Sequence, residues 1–324
     1  MSNQMPPVAF LDDFRRSVVE GGAPLPEMTQ RLLLDTIGVA AQQVFDFLGQ
    51  TQATRSEFEA WIEATAGTPD TDLLSRFHAQ IKQGETSEAA KSQLARIDDM
   101  PDVLSPDQLS DWDRNGFVVL PDAISGQECA AVAELLWDSI SASPDDPDSW
   151  YGLATESIMV PVFQHKLLNY ARRSPRIHKA FAQLWGTADL WVTVDRLGFN
   201  PPERPDHPFR GIGLHWDVSL AQPIPFATQA VLYLTDTDKD QGGFRCVPGF
   251  HRKVGDWMAG LGTTNPREVD LSDQARTVPG AAGDLVIWRQ DLPHDASPNR
   301  SDKPRLVQYI NYYSPLLETQ SEWI

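Results

Sequence analysis

The chain has 324 residues, an apolar fraction of 41%, and a formal net charge of −18. This length allows one large domain or two smaller ones, and 10 Trp and 14 Phe residues can supply a packed core, which excludes a disordered or fibrous protein. The strong acidity disfavours partners that are themselves polyanionic, namely nucleic acid and anionic membrane surfaces.

The N-terminal residues and the cysteines bear on the cellular compartment. Asp12 and Asp13 lie where a secretory signal would need apolar residues, and no run of 18 apolar residues is present. Cys129 and Cys246 are too few for a disulfide scaffold, and their spacing does not suit a metal site. We therefore expect a soluble cytoplasmic protein whose cysteines are buried free thiols.

Residues 1–100 are predicted to be helical. Apolar residues recur at helical spacing within 26–50, and further helices are predicted over 56–64, with Ser56 as a plausible cap, and over 71–82. The segment shows no catalytic chemistry, and we interpret it as a helical layer that covers either the rest of the protein or a partner in a homodimer. A boundary near residue 100 separates this layer from a second domain, residues 101–324.

The second domain begins with helices and continues as strands. Ser105 and Pro106 form a helix start, and Ser125 is predicted to cap a helix that runs to about residue 141. From residue 190 onward, short segments rich in β-branched and aromatic residues alternate with Gly, Pro, Asn and Asp. The predicted strands are 191–199, 213–218, 228–235, 244–247, 276–278, 284–289 and 306–313. This number of strands favours a β-sandwich or a barrel.

Three residues of this region form a candidate metal site. In an extended strand, His215 and Asp217 point to the same face, while Trp216 points to the other. His294 follows the predicted strand 284–289 and a short turn, so it can supply a third ligand. Two imidazoles and one carboxylate that leave coordination positions open are typical of non-haem Fe(II) oxygenases.

Arg305 begins an alternating segment that places it on the same face as Val307, Tyr309 and Asn311. A buried guanidinium needs a carboxylate partner, which it can bind in a two-pronged fork. That partner is either an anionic cosubstrate or a nearby Asp of the chain itself.

Several motifs, taken in order, resemble the phytanoyl-CoA dioxygenase family of Fe(II)- and 2-oxoglutarate-dependent oxygenases. The similarity covers residues 104–324, and the helical segment 1–100 is not part of the usual family pattern. The motifs that carry it are DRNGFVVL at 113–120, LHWD at 214–217, DQGGFRCVPGFH at 240–251, GDLVIW at 283–288, and the stretch from His294 to Arg305.

The resemblance implies a fold that is mainly β with helical additions. Its core would be a double-stranded β-helix, the cupin-like jelly-roll, with helices packed on one sheet. It also implies Fe(II) held by the three candidate ligands, O2 as a reactant, and 2-oxoglutarate that chelates the metal and pairs its far carboxylate with Arg305. Tyr233 lies where the family often places an aromatic residue against the cosubstrate. Ser297 is a further candidate, although many relatives have the serine one position earlier, where this chain has Ala296.

The function implied by the resemblance is hydroxylation of an unactivated C–H bond in a small-molecule substrate, with release of succinate and CO2. Because halogenating relatives lack the metal-binding carboxylate, Asp217 favours hydroxylation, or the related desaturation or ring closure. Candidate residues of the substrate pocket are Arg196, Arg210 and Trp288. Two alternatives stay open: a cupin-type isomerase or direct dioxygenase that does not use 2-oxoglutarate, and a binding protein on the same fold without catalytic activity.

Overall fold

The computed structural model describes residues 5–152 and 157–324, in which helices precede and flank three antiparallel sheets. The α-helices are α1 Leu11–Val19, α2 Glu27–Thr36, α3 Ala41–Thr51, α4 Arg55–Ala66, α5 Thr71–Gln80, α6 Glu88–Asp98, α7 Pro106–Asn115, α8 Gly126–Ser139, α9 Asn169–Arg172, α10 Pro175–Trp185 and α11 Val254–Gly260. The strands are β1 Phe117–Leu120, β2 Met159–Val160, β3 Trp191–Val192, β4 Leu197–Asn200, β5 Thr228–Tyr233, β6 Phe244–Cys246, β7 Arg276–Thr277, β8 Leu285–Arg289, β9 His294–Ala296, β10 Arg305–Tyr309 and β11 Tyr312–Tyr313.

The N-terminal helices agree with the helical prediction for residues 1–100, and their start signals are local. Thr54 caps α4, because its hydroxyl accepts a hydrogen bond from the Glu57 backbone, and Asp70 caps α5 in the same way through Leu73. The prediction of Ser56 as the cap of α4 was wrong, since the helix begins one residue before it. Among the described residues, no single helix is long and apolar enough to cross a membrane, although the bent pair α2 and α3 meets both criteria together.

The β core consists of a six-stranded sheet and a three-stranded sheet, with a two-stranded ribbon beside them. The large sheet has the order β1-β8-β5-β10-β4-β2, the small sheet has the order β7-β6-β9, and the ribbon pairs β11 with β3. This arrangement agrees with the predicted jelly-roll core, although the six helices of the first hundred residues make the chain richer in helix than in strand.

Side chains of the large sheet alternate between two hydrophobic clusters. On β8, Leu285 and Ile287 pack with the flanking helices, whereas Val286 and Trp288 face the small sheet. Strand β5 shows the same alternation, as expected for a strand that is buried on both faces. The interior between the two sheets is therefore the side on which Arg305 and Val307 of β10 project, as their alternation predicted.

The predicted strand 213–218 was wrong, because this segment is a loop with a single bridge residue. His215 pairs with His294 through two backbone hydrogen bonds, of 3.1 and 3.0 Å. Two backbone carbonyl groups that follow His215 accept hydrogen bonds from a side chain instead of a neighbouring strand. Arg267 donates to the Trp216 oxygen at 2.9 Å and to the Val218 oxygen at 2.7 Å. A guanidinium thus satisfies the backbone groups that a neighbouring strand would otherwise bind.

The N-terminal helices and the β core share buried residues. Trp191 of β3 and Tyr313 of β11 are almost completely buried, and both belong to the hydrophobic cluster formed by residues 5–77. Asp35 of α2 strengthens this contact, since its carboxylate accepts hydrogen bonds from the Tyr313 hydroxyl at 2.7 Å and from the Val194 backbone at 2.9 Å. The helical segment therefore packs directly on the β3–β11 ribbon, and the division of the chain at residue 100 stays a prediction.

Candidate metal centre

The three predicted metal ligands converge at one wall of a cavity. Their donor atoms, two imidazole nitrogens and a carboxylate oxygen, all lie within 4.8 Å of one another. The Nε2 atom of His215 is 3.4 Å from Asp217 Oδ1, and Nε2 of His294 is 3.2 Å from Asp217 Oδ2. Donors about 2.1 Å from one ion, at right angles to each other, are roughly 3 Å apart, so this set fits a first-row divalent metal.

Local backbone contacts fix the orientation of both imidazoles. Nδ1 of His215 lies 2.8 Å from the Gly213 carbonyl oxygen, and Nδ1 of His294 lies 3.0 Å from the Leu292 carbonyl oxygen. Because a carbonyl only accepts hydrogen bonds, each Nδ1 must carry the proton, and the neutral ring then presents the lone pair of Nε2. These contacts therefore direct Nε2 of both rings to the metal position.

The electrostatics of the site favour an ionised carboxylate. Burial acts to raise the pKa of Asp217, but hydrogen bonds with His215, His294 and Gln229 outweigh it and hold that pKa far below its usual range. Burial likewise acts to lower the pKa of His215, but its contacts with Asp217 and Gly213 give a net increase. A metal ion would replace these contacts and bind the ionised carboxylate directly.

A chain of two hydrogen bonds orients Asp217. Gln229 of β5 donates from Nε2 to Asp217 Oδ2 at 2.6 Å, and its Oε1 accepts a hydrogen bond from Trp288 Nε1 at 3.0 Å. Since the indole can only donate, it fixes which end of the amide faces the carboxylate. Trp288 also stacks on Phe244, with ring centroids 4.2 Å apart. The two hydrogen bonds are therefore anchored by side chains that are packed between the two sheets.

Arg305 is the second anchor in the cavity. Its side chain is 1% exposed, yet its Nε and Nη2 atoms have no hydrogen-bond partner, and no carboxylate of the described residues forms an ion pair with it. The alternative of an ion pair with a nearby Asp is therefore absent from the described part of the chain. The Oγ atom of Ser297 is also buried and unpartnered. Orphaned buried donors of this kind fit a carboxylate from a bound ligand.

Tyr233 is placed differently from the other candidates. It is fully buried, and its hydroxyl donates to the Val278 oxygen at 2.7 Å and accepts from the Phe244 backbone at 2.9 Å. Burial raises its pKa to about 12. Because both hydrogen bonds go to the backbone and the residue does not line the cavity, its contact with the cosubstrate stays a prediction without a supporting contact.

The cavity has a volume of about 560 Å³, within the range of roughly 300–1,000 Å³ that is typical of small-molecule sites. It is lined by the three candidate ligands and by Arg305, which places the metal position and the guanidinium in one space. The three predicted pocket residues also line it, namely Arg196, Arg210 and Trp288. Their location agrees with the prediction, while their roles toward a substrate stay predictions.

Three residues that support the site were not identified from the sequence. Gln229 carries no distinctive motif, and Arg267 lies in a short 3₁₀ helix, Pro266–Glu268, far from the ligands along the chain. Arg245 of β6 forms a bidentate ion pair with Asp295, which adjoins His294 and is 4% exposed. The alternation of β6 and β9 could have suggested this last pair, because Arg245 and Asp295 are direct cross-strand neighbours.

Comparison with known proteins gives a family match. The model of the phytanoyl-CoA dioxygenase family matches residues 112–307, which includes the three candidate ligands and Arg305. A putative phytanoyl-CoA dioxygenase of Dictyostelium discoideum is 24% identical over 260 residues, a match that covers 62% of this chain and 73% of the relative. An ectoine dioxygenase of Bordetella parapertussis is 26% identical over 242 residues, or 66% of this chain and 76% of the relative.

Solved structures also resemble this chain. The crystal structure of EvdO2 from Micromonospora carbonacea var. aurantiaca has a TM-score of 0.49 and 20% sequence identity, over 69% of this chain and 97% of that chain. Residues 1–111, which include the N-terminal helical segment, lie outside the family match.

Proposed function

Because the chain belongs to the phytanoyl-CoA dioxygenase family, we propose that it hydroxylates an unactivated C–H bond of a small-molecule metabolite. At the level of the family, the chain is an Fe(II)- and 2-oxoglutarate-dependent oxygenase. The proposed reaction consumes 2-oxoglutarate, O2 and the substrate. One oxygen atom enters the substrate as a hydroxyl group, the other enters succinate, and CO2 is released.

The observation that carries the proposal is the pairing of two sites in one cavity. The donor atoms of His215, Asp217 and His294 lie within 4.8 Å of one another, and the same cavity contains the unpartnered guanidinium nitrogens of Arg305. A metal site alone would suit many reactions. The combination with a buried cation suits a cosubstrate that has both a chelating end and a free carboxylate.

The metal ligands and the cosubstrate anchor have separate roles in the proposed reaction. His215, Asp217 and His294 would hold Fe(II), which when bound supplies the activation of O2 and of the 2-oxo acid. Arg305 would bind the far carboxylate of 2-oxoglutarate, and Ser297, which is buried and unpartnered but does not line the cavity, stays a predicted second donor. Asp217, oriented by Gln229, retains the carboxylate that halogenating relatives lack, which supports hydroxylation.

The walls of the cavity would position the substrate and exclude water. Apolar and aromatic side chains of β5, β6 and β8 line the space beside the metal position, among them Val231, Phe244 and Trp288. A substrate carbon held against such walls has few orientations, which lowers the entropic part of the barrier. Exclusion of bulk water also protects reactive species from side reactions.

The test is turnover of the purified chain with Fe(II), ascorbate, 2-oxoglutarate and a panel of metabolites. We expect succinate, together with a product heavier by one oxygen atom, and loss of both in Asp217→Ala. The control is Asp273→Ala, which removes an exposed carboxylate outside the cavity and should keep wild-type activity. Equal succinate formation by the wild type and by Asp217→Ala would contradict the proposal.

Two other outcomes would identify the alternatives. A product lighter by two hydrogen atoms would indicate desaturation or ring closure in the same family. Failure of the metal-loaded protein to bind 2-oxoglutarate in calorimetry would favour a cupin-type enzyme that acts on its substrate directly.

A further inference from the structure

The cavity of the metal centre has a wall that comes from the N-terminal helices. Arg31 of α2 lines the cavity together with the three candidate ligands, although it lies outside the segment that matches the family. A second contact of the same segment reaches the cavity wall, because Gln42 of α3 accepts a hydrogen bond from Arg196 at 2.8 Å. The helical segment therefore contributes directly to the space in which the substrate would bind.

Arg31 is held in a defined position. Its guanidinium carbon lies 3.8 Å from the centre of the Tyr313 ring, which is the distance of a cation–π contact. Tyr313 is itself 0% exposed, and its hydroxyl donates to Asp35 at 2.7 Å. Asp35 is bound in turn by the Val194 backbone. A guanidinium stacked on a fixed ring has already lost much of its conformational freedom. Binding an anion therefore costs little additional conformational entropy.

The charges around the cavity leave Arg31 without a close acidic partner. Of the acidic residues that line the space, Asp217 belongs to the metal site, Asp295 pairs with Arg245, and Asp195 contacts Arg196 at 3.3 Å. No ion pair within 4.0 Å joins Arg31 to a carboxylate of residues 5–152 or 157–324. Asp35 acts on it only at longer range, through its charge.

Arg31 and Arg305 are positioned by different elements of the β core. Arg305 opens β10, whereas Tyr313, under Arg31, belongs to β11 beyond the other end of that strand. The cosubstrate has one carboxylate that is not engaged in chelation, and Arg305 accounts for it. A second cation in the same cavity, without an acidic partner within 4.0 Å among the described residues, can therefore bind a second anion.

We propose that Arg31 is a substrate-binding residue and that the substrate carries a carboxylate, which Arg31 binds in the same cavity that contains Arg305. This inference rests on the proposed function, because it assigns the substrate class of the same site. It gives the N-terminal helical segment a direct part in specificity.

The experiment uses the full chain loaded with Mn(II) under anaerobic conditions, so that binding is measured without turnover. Calorimetry first determines the affinity for 2-oxoglutarate. The probes are then saturated monocarboxylic acids of increasing chain length and their matching primary amides, added to the complex with 2-oxoglutarate. Each pair has the same shape and differs in the charge that Arg31 is proposed to bind.

For at least one chain length, we expect the acid to bind at least ten-fold more tightly than the amide, since hydrogen bonds to charged groups are about twice as strong as neutral ones. In Arg31→Gln the preference should fall below two-fold, while Arg31→Lys should retain part of it and both variants should keep wild-type affinity for 2-oxoglutarate. The control Arg300→Gln alters a side chain that is 76% exposed and should keep the full preference.

Equal binding of acid and amide at every chain length would overturn the inference, as would an unchanged preference in Arg31→Gln. These results are distinct from failure of the proposed function. If 2-oxoglutarate itself does not bind to the Mn(II)-loaded wild type, the function fails. If it binds and the acids have no advantage, only the assignment of Arg31 fails.

Discussion

Replacement of Arg305 by Met should have opposite effects on the free protein and on ligand binding. The wild-type side chain is 1% exposed, and two of its nitrogens have no partner. A buried ion without compensation costs several kcal/mol after relaxation, whereas a methionine of similar length can fill the same space without that cost. We therefore expect Arg305→Met to be more stable than the wild type in the absence of ligand, by at least about 1 kcal/mol.

The same change should weaken the binding of 2-oxoglutarate strongly. A hydrogen bond to a charged group contributes about 1.5–3 kcal/mol, and two unpartnered nitrogens point to two such bonds. Their loss corresponds to about 3–6 kcal/mol, or roughly two to four orders of magnitude in Kd at about 1.4 kcal/mol per ten-fold change.

Thermal unfolding with Mn(II), with and without 2-oxoglutarate, measures both effects. Ligand at about 100 times its Kd should stabilise the wild type by about 2.7 kcal/mol, which is a shift of several degrees in Tm, and should not shift Arg305→Met. The exposed Arg300→Met serves as the matched control and should respond as the wild type does. A ligand-induced shift of wild-type size in Arg305→Met would refute the assignment of Arg305 as the anchor.

Three further substitutions test contacts that hold the metal site and the N-terminal helices in place. Gln229→Leu removes the hydrogen bond to Asp217, and we expect Mn(II) affinity to fall about 10–100-fold in a metal titration; an unchanged Kd would show that the amide does not orient the ligand. Arg245→Met leaves Asp295 buried and unpaired, so urea denaturation should show a loss of about 3–5 kcal/mol, and a loss below about 1 kcal/mol would contradict this account. Burial raises the pKa of Asp35 from 3.8 to about 6, so the folded state holds this proton more tightly than the unfolded state, and the associated stability is lost as the pH rises from about 4 to 7. In Asp35→Asn this part of the pH dependence, on the order of 2–3 kcal/mol, should be missing from the free energy of unfolding; parallel pH profiles would disprove it.

The proximity of His215 and Asp217 could be predicted from the sequence because it follows from short-range geometry, while their role as metal ligands stays a prediction. His215 and Asp217 are two residues apart, and an extended backbone of any kind brings such side chains together. The β-strand itself was predicted wrongly, since periodicity does not reveal that Arg267 takes the place of a neighbouring strand. Arg305 was predicted to face the interior because β10 alternates regularly from its first residue.

Long-range contacts could not be predicted in the same way. Nothing near Gln229 in the sequence indicates that its amide lies between an indole and a carboxylate. The role of Arg31 was hidden for the same reason, because α2 shows only the apolar spacing of an ordinary helix. Its position in the cavity depends on the packing of α2 against β3 and β11, which brings together residues that are far apart in the chain.

The β3–β11 ribbon is at once the support of the N-terminal helices and a boundary of the cavity, since Tyr313 belongs to both. A molecule in the cavity that contacts this tyrosine contacts a side chain that is hydrogen-bonded to Asp35 of α2. One side chain thus serves both the packing of the N-terminal helices and the lining of the cavity, so a substitution of Tyr313 would alter the two together.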